Sequence, residues 1–407
     1  MPLALYLLAL AVFAMGTSEF MLAGLVPDIA HSLDVSIGTA GLLTSAFAVG
    51  MAVGAPAMAV LARRWPARAT LLGCVVVFAL CHVGAAITPT FVVLFATRVV
   101  AALADAGFLA VALSTTTQLV AADQKGRALA VLLSGTTLAT IAGVPAGALL
   151  GSTFGWRATF WAIALLCVPA AVGIAKGIPG RTGQARQTAR ATHSAVRGPR
   201  EVNASPSLRS ELAQLRTPRL LLAMLLGALT NGGTFAAFTY LAPIVTGVAG
   251  LGDGWVSVAL VLFGLGSLFG VTVAGRLSDR HPGLTLLVGT PLLPVGWIGV
   301  ALFAAHPVAL PGLVFVQGAL SFAVGSTLIT RVLYAASDAP TMGGSYATAA
   351  LNIGAAAGPA MGAAALSGPG GLGPVWVAAA LTGSIPAVAL IARGMAPKSD
   401  FNLNSRN

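Results

Sequence analysis

The chain is 407 residues long, and only 8% of its residues are charged while 57% are hydrophobic; an ordinary soluble domain has about 25% charged residues. With a mean hydropathy of +0.91, the chain has too few polar groups to cover a water-exposed surface, which excludes a soluble protein and indicates a polytopic membrane protein. The net charge of +11 would suggest nucleic acid in a soluble chain, but here the basic residues lie in loops between apolar runs, so no nucleic-acid partner is expected.

Apolar runs long enough to cross a bilayer follow one another along the whole chain. A transmembrane helix needs about 20 such residues, and twelve runs meet that length. The predicted fold class is therefore an all-α membrane protein with twelve transmembrane helices. The predicted spans are 3–26, 37–62, 69–88, 91–114, 127–151, 157–178, 219–246, 254–275, 284–305, 309–331, 343–366 and 373–395.

The first span holds a carboxylate, Glu19, and no other charged residue. No Lys or Arg precedes the run, so we predict an uncleaved first helix instead of a secretory signal. A charged side chain at a helix centre costs about 2.5–3.5 kcal/mol on insertion scales and usually faces the bundle interior or a water-filled cavity. Glu19 and the adjacent Phe20 are therefore candidate substrate contacts.

The fourth span contains the two other charges that lie well inside a span, Arg98 and Asp105. Arg98 and Glu19 both lie about 12 Å below the same predicted membrane face, so an ion pair between them is possible. Asp105 follows on the same helix face as Arg98, nearer mid-membrane. Desolvation raises the pKa of a carboxylate and a nearby cation lowers it, so Glu19 or Asp105 is a candidate proton carrier, with Arg98 controlling its titration and also contacting substrate. The alternative is a buried ion pair that only holds the first and fourth helices in register.

Other residues of the first half are expected to have mechanical or packing roles. His82 in the third span is expected to be a packed core residue. The cysteines Cys74, Cys81 and Cys167 form neither a disulfide framework nor a metal-ligand spacing, so no metal and no cofactor are predicted. Pro145 in the fifth span is expected to bend its helix.

A long middle segment, residues 179–218, interrupts the series of spans. It is rich in Arg, Ser, Thr and Gly and has no apolar period, so we predict a flexible cytoplasmic linker. A plain tether is favoured over a regulatory segment. The predicted domains are a first six-helix bundle at 1–178, a second at 219–395 and a cytoplasmic tail at 396–407.

Polar and aromatic residues within the second-half spans suit a neutral, amphiphilic ligand. The alternative is interhelical hydrogen bonding and packing, worth about 0.6 kcal/mol on average. The predicted substrate contacts are Asn231, Phe235, Phe238, Tyr240, Gln317 and Asn352. In the eleventh span, Pro359 is expected to bend the helix as Pro145 does.

Three short motifs recur in the two halves at nearly the same separation. LVP (25–27) matches LAP (241–243), VLARRWP (60–66) matches RLSDRHP (276–282), and GVPAGALLG (143–151) matches AGPAMGAAA (357–365). Two parallel six-helix repeats with a substrate site between them near the midplane are a transporter architecture. The pattern predicts two pseudo-symmetric six-helix bundles that move against one another.

Basic residues are distributed unequally between the two predicted membrane faces. All but two of the 22 Lys and Arg residues fall on one side, the exceptions being Arg98 within a span and Arg157 on the opposite face. By the positive-inside rule, both termini are predicted to be cytoplasmic.

Several motifs resemble those of a known transporter family. GRLSDRHPG (275–283) resembles its G-x-L-x-D-R loop, whereas the first-half counterpart AVLARRWPAR has Ala59 and Arg63 in place of the usual Gly and Asp. TRVVAALADAG resembles the fourth-helix motif, and GVPAGALLGSTFGWRATFW resembles the antiporter signature of helices 5 and 6. The chain thus resembles the major facilitator superfamily, in its twelve-helix drug:proton antiporter branch. TSEFMLAGLVPDIA (17–30), which begins in the first span, looks closest to the chloramphenicol-resistance exporters and is also similar to sugar and nucleoside efflux proteins.

The resemblance implies proton-coupled efflux of a chloramphenicol-type antibiotic by alternating access, with sugar or nucleoside export as the alternative. It also implies a monomer in the bacterial cytoplasmic membrane, with a drug, protons and lipid as partners. The gating-loop residues implied are Arg63, Arg64, Gly275, Asp279 and Arg280.

Two rival classes fit the residues less well. An intramembrane enzyme would cluster acids or His at one interface, and a passive channel would not need antiporter-type loops. The chain has no Walker loop and no HExxH motif, so ATP-driven transport and enzymatic activity are not predicted.

Overall fold

The computed structural model describes residues 2–61, 65–178, 208–280, 283–339, 342–366 and 369–395. These residues contain no strand, which confirms the all-α prediction for this part of the chain. The long helices of the first half are α1 (Leu3–Phe20), α2 (Ile37–Leu61), α3 (Ala67–Ile87), α4 (Phe91–Gln118), α5 (Lys125–Phe154) and α6 (Trp156–Gly177). Those of the second half are α7 (Pro218–Phe238), α8 (Gly254–Arg280), α9 (Leu284–Phe303), α10 (Ala309–Ala335), α11 (Gly343–Ala365) and α12 (Gly373–Met395).

Eleven of these helices, within the described residues, are long and apolar enough to cross a membrane. The exception, α11, is long enough but is built mainly of Gly and Ala and carries Ser345, Tyr346, Thr348 and Asn352. It nevertheless packs among spanning helices, against α2, α7 and α12. Small residues allow this close helix approach within a bilayer, so the low apolarity of α11 reflects its packed position.

Two of the long helices include irregular geometry, α1 just after its last residue and α5 in its interior. After α1 the chain forms a 3-10 turn, Met21–Gly24, and a short helix, Val26–Ser32. Within α5 a π-helical turn, Ala139–Gly143, directly precedes Pro145. Pro359 lies inside α11, which continues as one α-helix from Gly343 to Ala365.

The predicted linker, 179–218, is helical over residues 208–216 instead of irregular. Leu208–Ala213 and Gln214–Arg216 lie against the start of α11. Glu211 is almost completely buried there, and its carboxylate accepts the backbone N–H of Met342 at 2.9 Å. The tail at 396–407 and the linker at 179–207 lie outside the described residues.

Helices of the two halves meet along two seams. One seam joins α2 to α11 and the other joins α5 to α8. Ser45 on α2 donates to the backbone oxygen of Ala356 on α11 at 2.7 Å. One apolar core is made by first-half residues between 5 and 178, whereas another joins Ala23, Val144 and Ala148 to second-half residues.

Large apolar side chains on the outside of the bundle are exposed, as a lipid-facing surface requires. Val92, Leu165, Leu287 and Leu390 are among them. Below, the end of the bundle that contains the Val26–Ser32 helix is called the Asp28 end. The opposite end, which contains Leu208–Arg216, is called the linker end.

Candidate functional site

Arg98 is buried in the first half and is bound to α1. Its side chain is 1% exposed. The guanidinium donates from Nη1 to Ser18 Oγ at 2.7 Å and from Nη2 to the backbone oxygen of Ser18 at 2.9 Å. It also lies over the ring of Phe47, with Cζ 4.3 Å from the ring centroid. Arg98 therefore joins α1, α2 and α4.

The structure does not pair Arg98 with the acids that the sequence placed near it. Within the described residues, no oxygen of Glu19 or Asp105 lies within the 4.0 Å limit of an ion pair with Arg98. The reason is helical geometry, because successive residues of a helix point about 100° apart. Ser18 contacts Arg98 of α4, so the next residue, Glu19, is turned by about 100° from the direction of that contact.

Glu19 instead lies next to the boundary between the halves. It is half-buried, and its neighbour Phe20 stacks on Phe235 of α7, with ring centroids 5.6 Å apart. Asp105 is more enclosed, at 6% exposure, and has no hydrogen-bond partner among the described residues. Of the two candidate acids, Glu19 is thus the one beside the interface.

A cluster of phenylalanines continues from Phe20 into the second half. Phe235 and Phe238 contact Phe20 and each other at centroid distances of 5.6–6.3 Å. Phe238 packs 4.5 Å from Phe263 of α8, which contacts Phe322 of α10 at 6.1 Å. We call these five residues the phenylalanine cluster. It gives the interface an apolar surface directly beside one carboxylate.

The amides and tyrosine predicted to contact substrate make bonds within the protein. Asn231 donates to the oxygen of Leu351 at 2.8 Å, joining α7 to α11. Tyr240 donates to the oxygen of Pro359 at 2.9 Å and is fully buried. Asn352 donates to Thr348 O of its own helix at 3.0 Å. Their roles as ligand contacts stay predictions.

Gln317 lines a small cavity inside the second half. Its Nε2 donates to Leu293 O at 3.2 Å, while its buried Oε1 has no partner in the described residues. Trp297 lines the same cavity, and its buried Nε1 also lacks a partner there. Phe238 and Phe263 close the cavity toward the phenylalanine cluster.

The predicted gating loops are only partly described. Arg63 and Arg64 lie outside the described residues. Asp279 and Arg280 belong to the last turn of α8, with side chains outside the described part. Gly275 is exposed on α8.

Sequence reasoning missed the partner of Arg98 and the contact of His82. Ser18 Oγ lies 2.7 Å from His82 Nε2, so His82 is hydrogen-bonded as well as packed between Phe78 and Phe160. Depth counting could have placed His82 near the level of Ser18, because it lies six residues before the predicted end of its span at 88, but depth does not show which face of a helix a residue occupies.

A second cavity, of about 510 Å³, opens at the Asp28 end between the halves. Asp28, His31 and Arg157 of the first half and Asp253 of the second half line it. Burial raises the pKa of Asp28 above its usual 3.8, the charge of Asp253 raises it further, and His31 opposes both. Arg157 donates to Ser32 Oγ and to Thr88 O, each at 3.0 Å.

These features define a helical membrane protein with a polar and aromatic site between two sets of helices, the arrangement of a transporter. The family profile described as Major Facilitator Superfamily matches residues 8–359. The chain belongs to this superfamily and is a multi-pass membrane transporter, not an enzyme.

Two relatives and two solved structures agree with this assignment. The chain is 67% identical to a chloramphenicol resistance protein of Streptomyces lividans, over 89% of each chain. It is 34% identical to the inner membrane transport protein YdhP of Escherichia coli (strain K12), over 88% of this chain and 87% of that one.

The similar structures share the fold at low identity. A bacterial homolog of the human lysosomal transporter Spinster, solved inward-facing and unoccupied, has a TM-score of 0.69 at 18% identity and covers 96% of this chain and 94% of its own. A D-xylose–proton symporter has a TM-score of 0.70 at 14% identity, covering 97% and 98%. The predicted fold class is thereby confirmed.

Proposed function

We propose that the protein exports a small antibiotic of the chloramphenicol type from the bacterial cytoplasm in exchange for protons. The observation that carries this proposal is the 67% identity to a chloramphenicol resistance protein across 89% of both chains. At this similarity the substrate site and the coupling residues are expected to be shared. The protein works as a monomer, with both termini in the cytoplasm and the Asp28 end facing outward.

The substrate binds between the halves, against the phenylalanine cluster. Aromatic faces from Phe20, Phe235 and Phe238 provide apolar contact area, and Glu19 provides a polar group at its edge. Binding pockets for amphiphilic molecules typically combine apolar walls with a few placed polar groups. A neutral drug with one aromatic ring and several hydroxyl or amide groups matches this surface.

Glu19 carries the proton and Arg98 biases its ionisation. Glu19 is favoured over Asp105 because it is half-buried beside the seam between the halves, whereas Asp105 is enclosed within the first half. When the seam opens and closes, Glu19 passes between wetter and drier surroundings, which changes its proton affinity. Arg98 lies close enough on the neighbouring helix to stabilise the ionised carboxylate after a modest rearrangement.

Alternating access requires the two halves to tilt about the seams of α2 with α11 and of α5 with α8. Opening at the linker end admits drug from the cytoplasm, and opening at the Asp28 end releases it. Protons that enter from the outside then neutralise Glu19 and displace the drug.

The test is expression in a drug-sensitive bacterial host, with a panel of antibiotics, sugars and nucleosides, in the presence and absence of a protonophore. We expect resistance to chloramphenicol that the protonophore removes. Resistance that survives the protonophore would exclude proton coupling, and export of sugars or nucleosides alone would replace the antibiotic assignment.

Glu19→Gln tests the proton carrier directly. The amide keeps the size and polarity of the side chain but cannot titrate, so gradient-driven export should fall by at least about 100-fold while chloramphenicol binding is retained. Glu19→Asp is the matched control, because it keeps a carboxyl group and should retain measurable exchange. Normal export by Glu19→Gln would remove Glu19 from the mechanism.

A further inference from the structure

A chain of hydrogen bonds connects Arg98 through Ser18 to His82. Arg98 Nη1 lies 2.7 Å from Ser18 Oγ, and the same oxygen lies 2.7 Å from His82 Nε2. On the other side of the imidazole, Nδ1 lies 2.8 Å from the backbone oxygen of Phe78. This series of hydrogen bonds therefore joins α4, α1 and α3, three helices of the first half.

The direction of every bond in this chain follows from what each group can do. A guanidinium only donates and a backbone carbonyl only accepts, so Ser18 Oγ accepts from Arg98, and His82 Nδ1 carries the hydrogen donated to Phe78 O. In a neutral imidazole, Nε2 is then an acceptor, and it takes the hydroxyl hydrogen of Ser18. Ser18 Oγ thereby accepts one hydrogen bond and donates one, and both ring nitrogens of His82 are engaged.

The surroundings favour this neutral form of His82. Ser18, His82 and Arg98 are each no more than 2% exposed. The imidazole lies between the rings of Phe78 and Phe160, at centroid distances of 4.3 and 5.7 Å. A second cation beside Arg98 in this apolar shell would be strongly unfavourable. The series of hydrogen bonds also ends at a backbone carbonyl, so it does not conduct a proton onward.

We infer that His82 is a positioning residue for transport, which acts through Ser18 to hold Arg98 away from Glu19. By accepting the Ser18 hydroxyl hydrogen, His82 aims the lone pairs of that oxygen at the guanidinium. Two Nη groups of Arg98 are then committed to Ser18, and the adjacent Glu19, which has no ion pair with any described residue, remains available to a proton. Loss of the His82 acceptor releases Arg98 to pair with Glu19. This inference rests on the proposed proton-carrying role of Glu19.

The unpartnered Nε of Arg98 supports the inference that the guanidinium has two positions, one bound to Ser18 and one paired with Glu19. It is buried and has no hydrogen-bond partner in the described residues. Unpartnered buried donors are uncommon and costly, so the guanidinium is not fully satisfied in its Ser18-bound position. A carboxylate could satisfy it in the alternative position.

The experiment compares His82→Phe, which keeps an aromatic ring but has no acceptor, with His82→Gln, whose amide oxygen can still accept from Ser18. Chloramphenicol–proton exchange is measured in proteoliposomes as a function of pH, with KM and maximal rate determined separately. Pairing with Arg98 stabilises the ionised form of Glu19, so in His82→Phe the acidic limb of the pH profile should move to lower pH by roughly 0.5–1 unit, the size of one neutral hydrogen bond. KM should change less than about twofold, and His82→Gln should stay close to the wild-type profile.

Two further measurements separate this role from packing. Ser18→Ala is a smaller change, which serves if His82→Phe does not fold, and it should shift the pH profile by the same amount. The double variant should shift the profile no further, because both changes interrupt the same series of hydrogen bonds. The ¹⁵N NMR spectrum of the five histidines, with His82 assigned by its absence in His82→Phe, should show the Nδ1–H neutral tautomer at His82. That readout does not depend on transport.

The inference is overturned if His82→Phe lowers thermal stability but keeps the wild-type pH profile, or if His82→Gln and His82→Phe shift the profile equally. An Nε2–H tautomer or an imidazolium at His82 would overturn it as well. These failures leave the proposed function in place, whereas normal export by Glu19→Gln would overturn the proposed function whatever His82 does.

Discussion

The guanidinium of Arg98 is held by Ser18 and by the face of Phe47. Burying a cation away from water is costly unless polar groups replace its hydration. Here neutral oxygens and a π face replace the water, and no carboxylate within the described residues does so. A cation solvated in this way can still accept a carboxylate partner at small cost, which is what a residue that biases a titrating acid requires.

A prediction at this scale concerns Phe235, whose ring stacks on Phe20 across the interface. Phe235→Ala removes one wall of the proposed drug surface, and an aromatic contact is worth about 0.5–1.5 kcal/mol beyond its buried area. Chloramphenicol affinity, measured by calorimetry on the purified protein, should therefore fall by roughly 3- to 10-fold or more. Phe269→Ala is the matched control, since Phe269 is 56% exposed on the lipid-facing side; equal affinities in both variants would remove Phe235 from the drug site.

The depth of the charged residues could be predicted from the sequence, but their partners could not. Counting residues from the helix ends placed Glu19 and Arg98 at one level, and the structure brings Arg98 to the residue next to Glu19. Which of two adjacent residues faces the neighbouring helix depends on helix rotation, and hydropathy does not encode rotation in a uniformly apolar helix. The contact with His82 depends on the same rotation, so the sequence favoured only packing for that residue.

The close approach of α5 and α8 at their seam depends on a glycine. At Gly264 a Cβ would lie 2.5 Å from the backbone oxygen of Thr140 and 3.0 Å from Ile141 Cα. Both residues belong to the π-helical turn Ala139–Gly143 of α5. A π turn widens a helix locally and is frequent at functional sites, so Gly264 is the position at which α8 accommodates that bulge.

We predict that Gly264→Ala destabilises the protein by about 1–3 kcal/mol, since the added methyl group meets backbone that cannot move aside. Thermal unfolding of the purified protein measures this loss. Gly275→Ala on the same helix is the control, because a Cβ there meets nothing within 4 Å and Ala favours a helix over Gly by up to about 1 kcal/mol. Unfolding of Gly264→Ala at or above the temperature of Gly275→Ala would show that the seam tolerates separation.

The long helices could be predicted from the sequence, but their irregular parts could not. Span lengths follow from the thickness of the bilayer, so the apolar runs recovered the helices, including α11 despite its weak apolarity. The π turn in α5 was not predicted, because it depends on the fit to α8. Residues 208–216 were expected to be irregular; their helix is stabilised by tertiary contacts of Glu211 and of Tyr346, whose hydroxyl donates to Glu211 O at 2.9 Å.

At the scale of the whole molecule, a pair of carboxylates makes the contact between the two halves sensitive to pH. Asp28 of the first half and Asp253 of the second line the cavity at the Asp28 end. Burial and Asp253 raise the pKa of Asp28 above 3.8. The arrangement of the structure, in which both halves line this cavity and which we call the closed arrangement, therefore favours the protonated carboxyl. The closed arrangement is therefore most stable below the ordinary pKa of 3.8, and this stabilisation is lost as pH rises through the raised value. Above it, two carboxylates repel across the seam.

We therefore predict that the Asp28 end opens as external pH rises from the acid range. The measurement is the labelling rate of Ser152→Cys, which lines the same cavity, by a membrane-impermeant maleimide in a variant without the three native cysteines. The same rate is measured in a second protein that also carries Asp28→Asn, and the first rate is divided by the second. The division cancels the pH dependence of the thiol. The ratio should increase with pH, because Asp28 can ionise and the two proteins differ only in that group. Asp34→Asn, at an exposed position of the same end outside the cavity lining, should leave the ratio unchanged. A ratio that stays constant with pH, or one that Asp34→Asn alters as much as Asp28→Asn, would contradict a proton-sensitive closure and leave the acid pair as solvated surface charge.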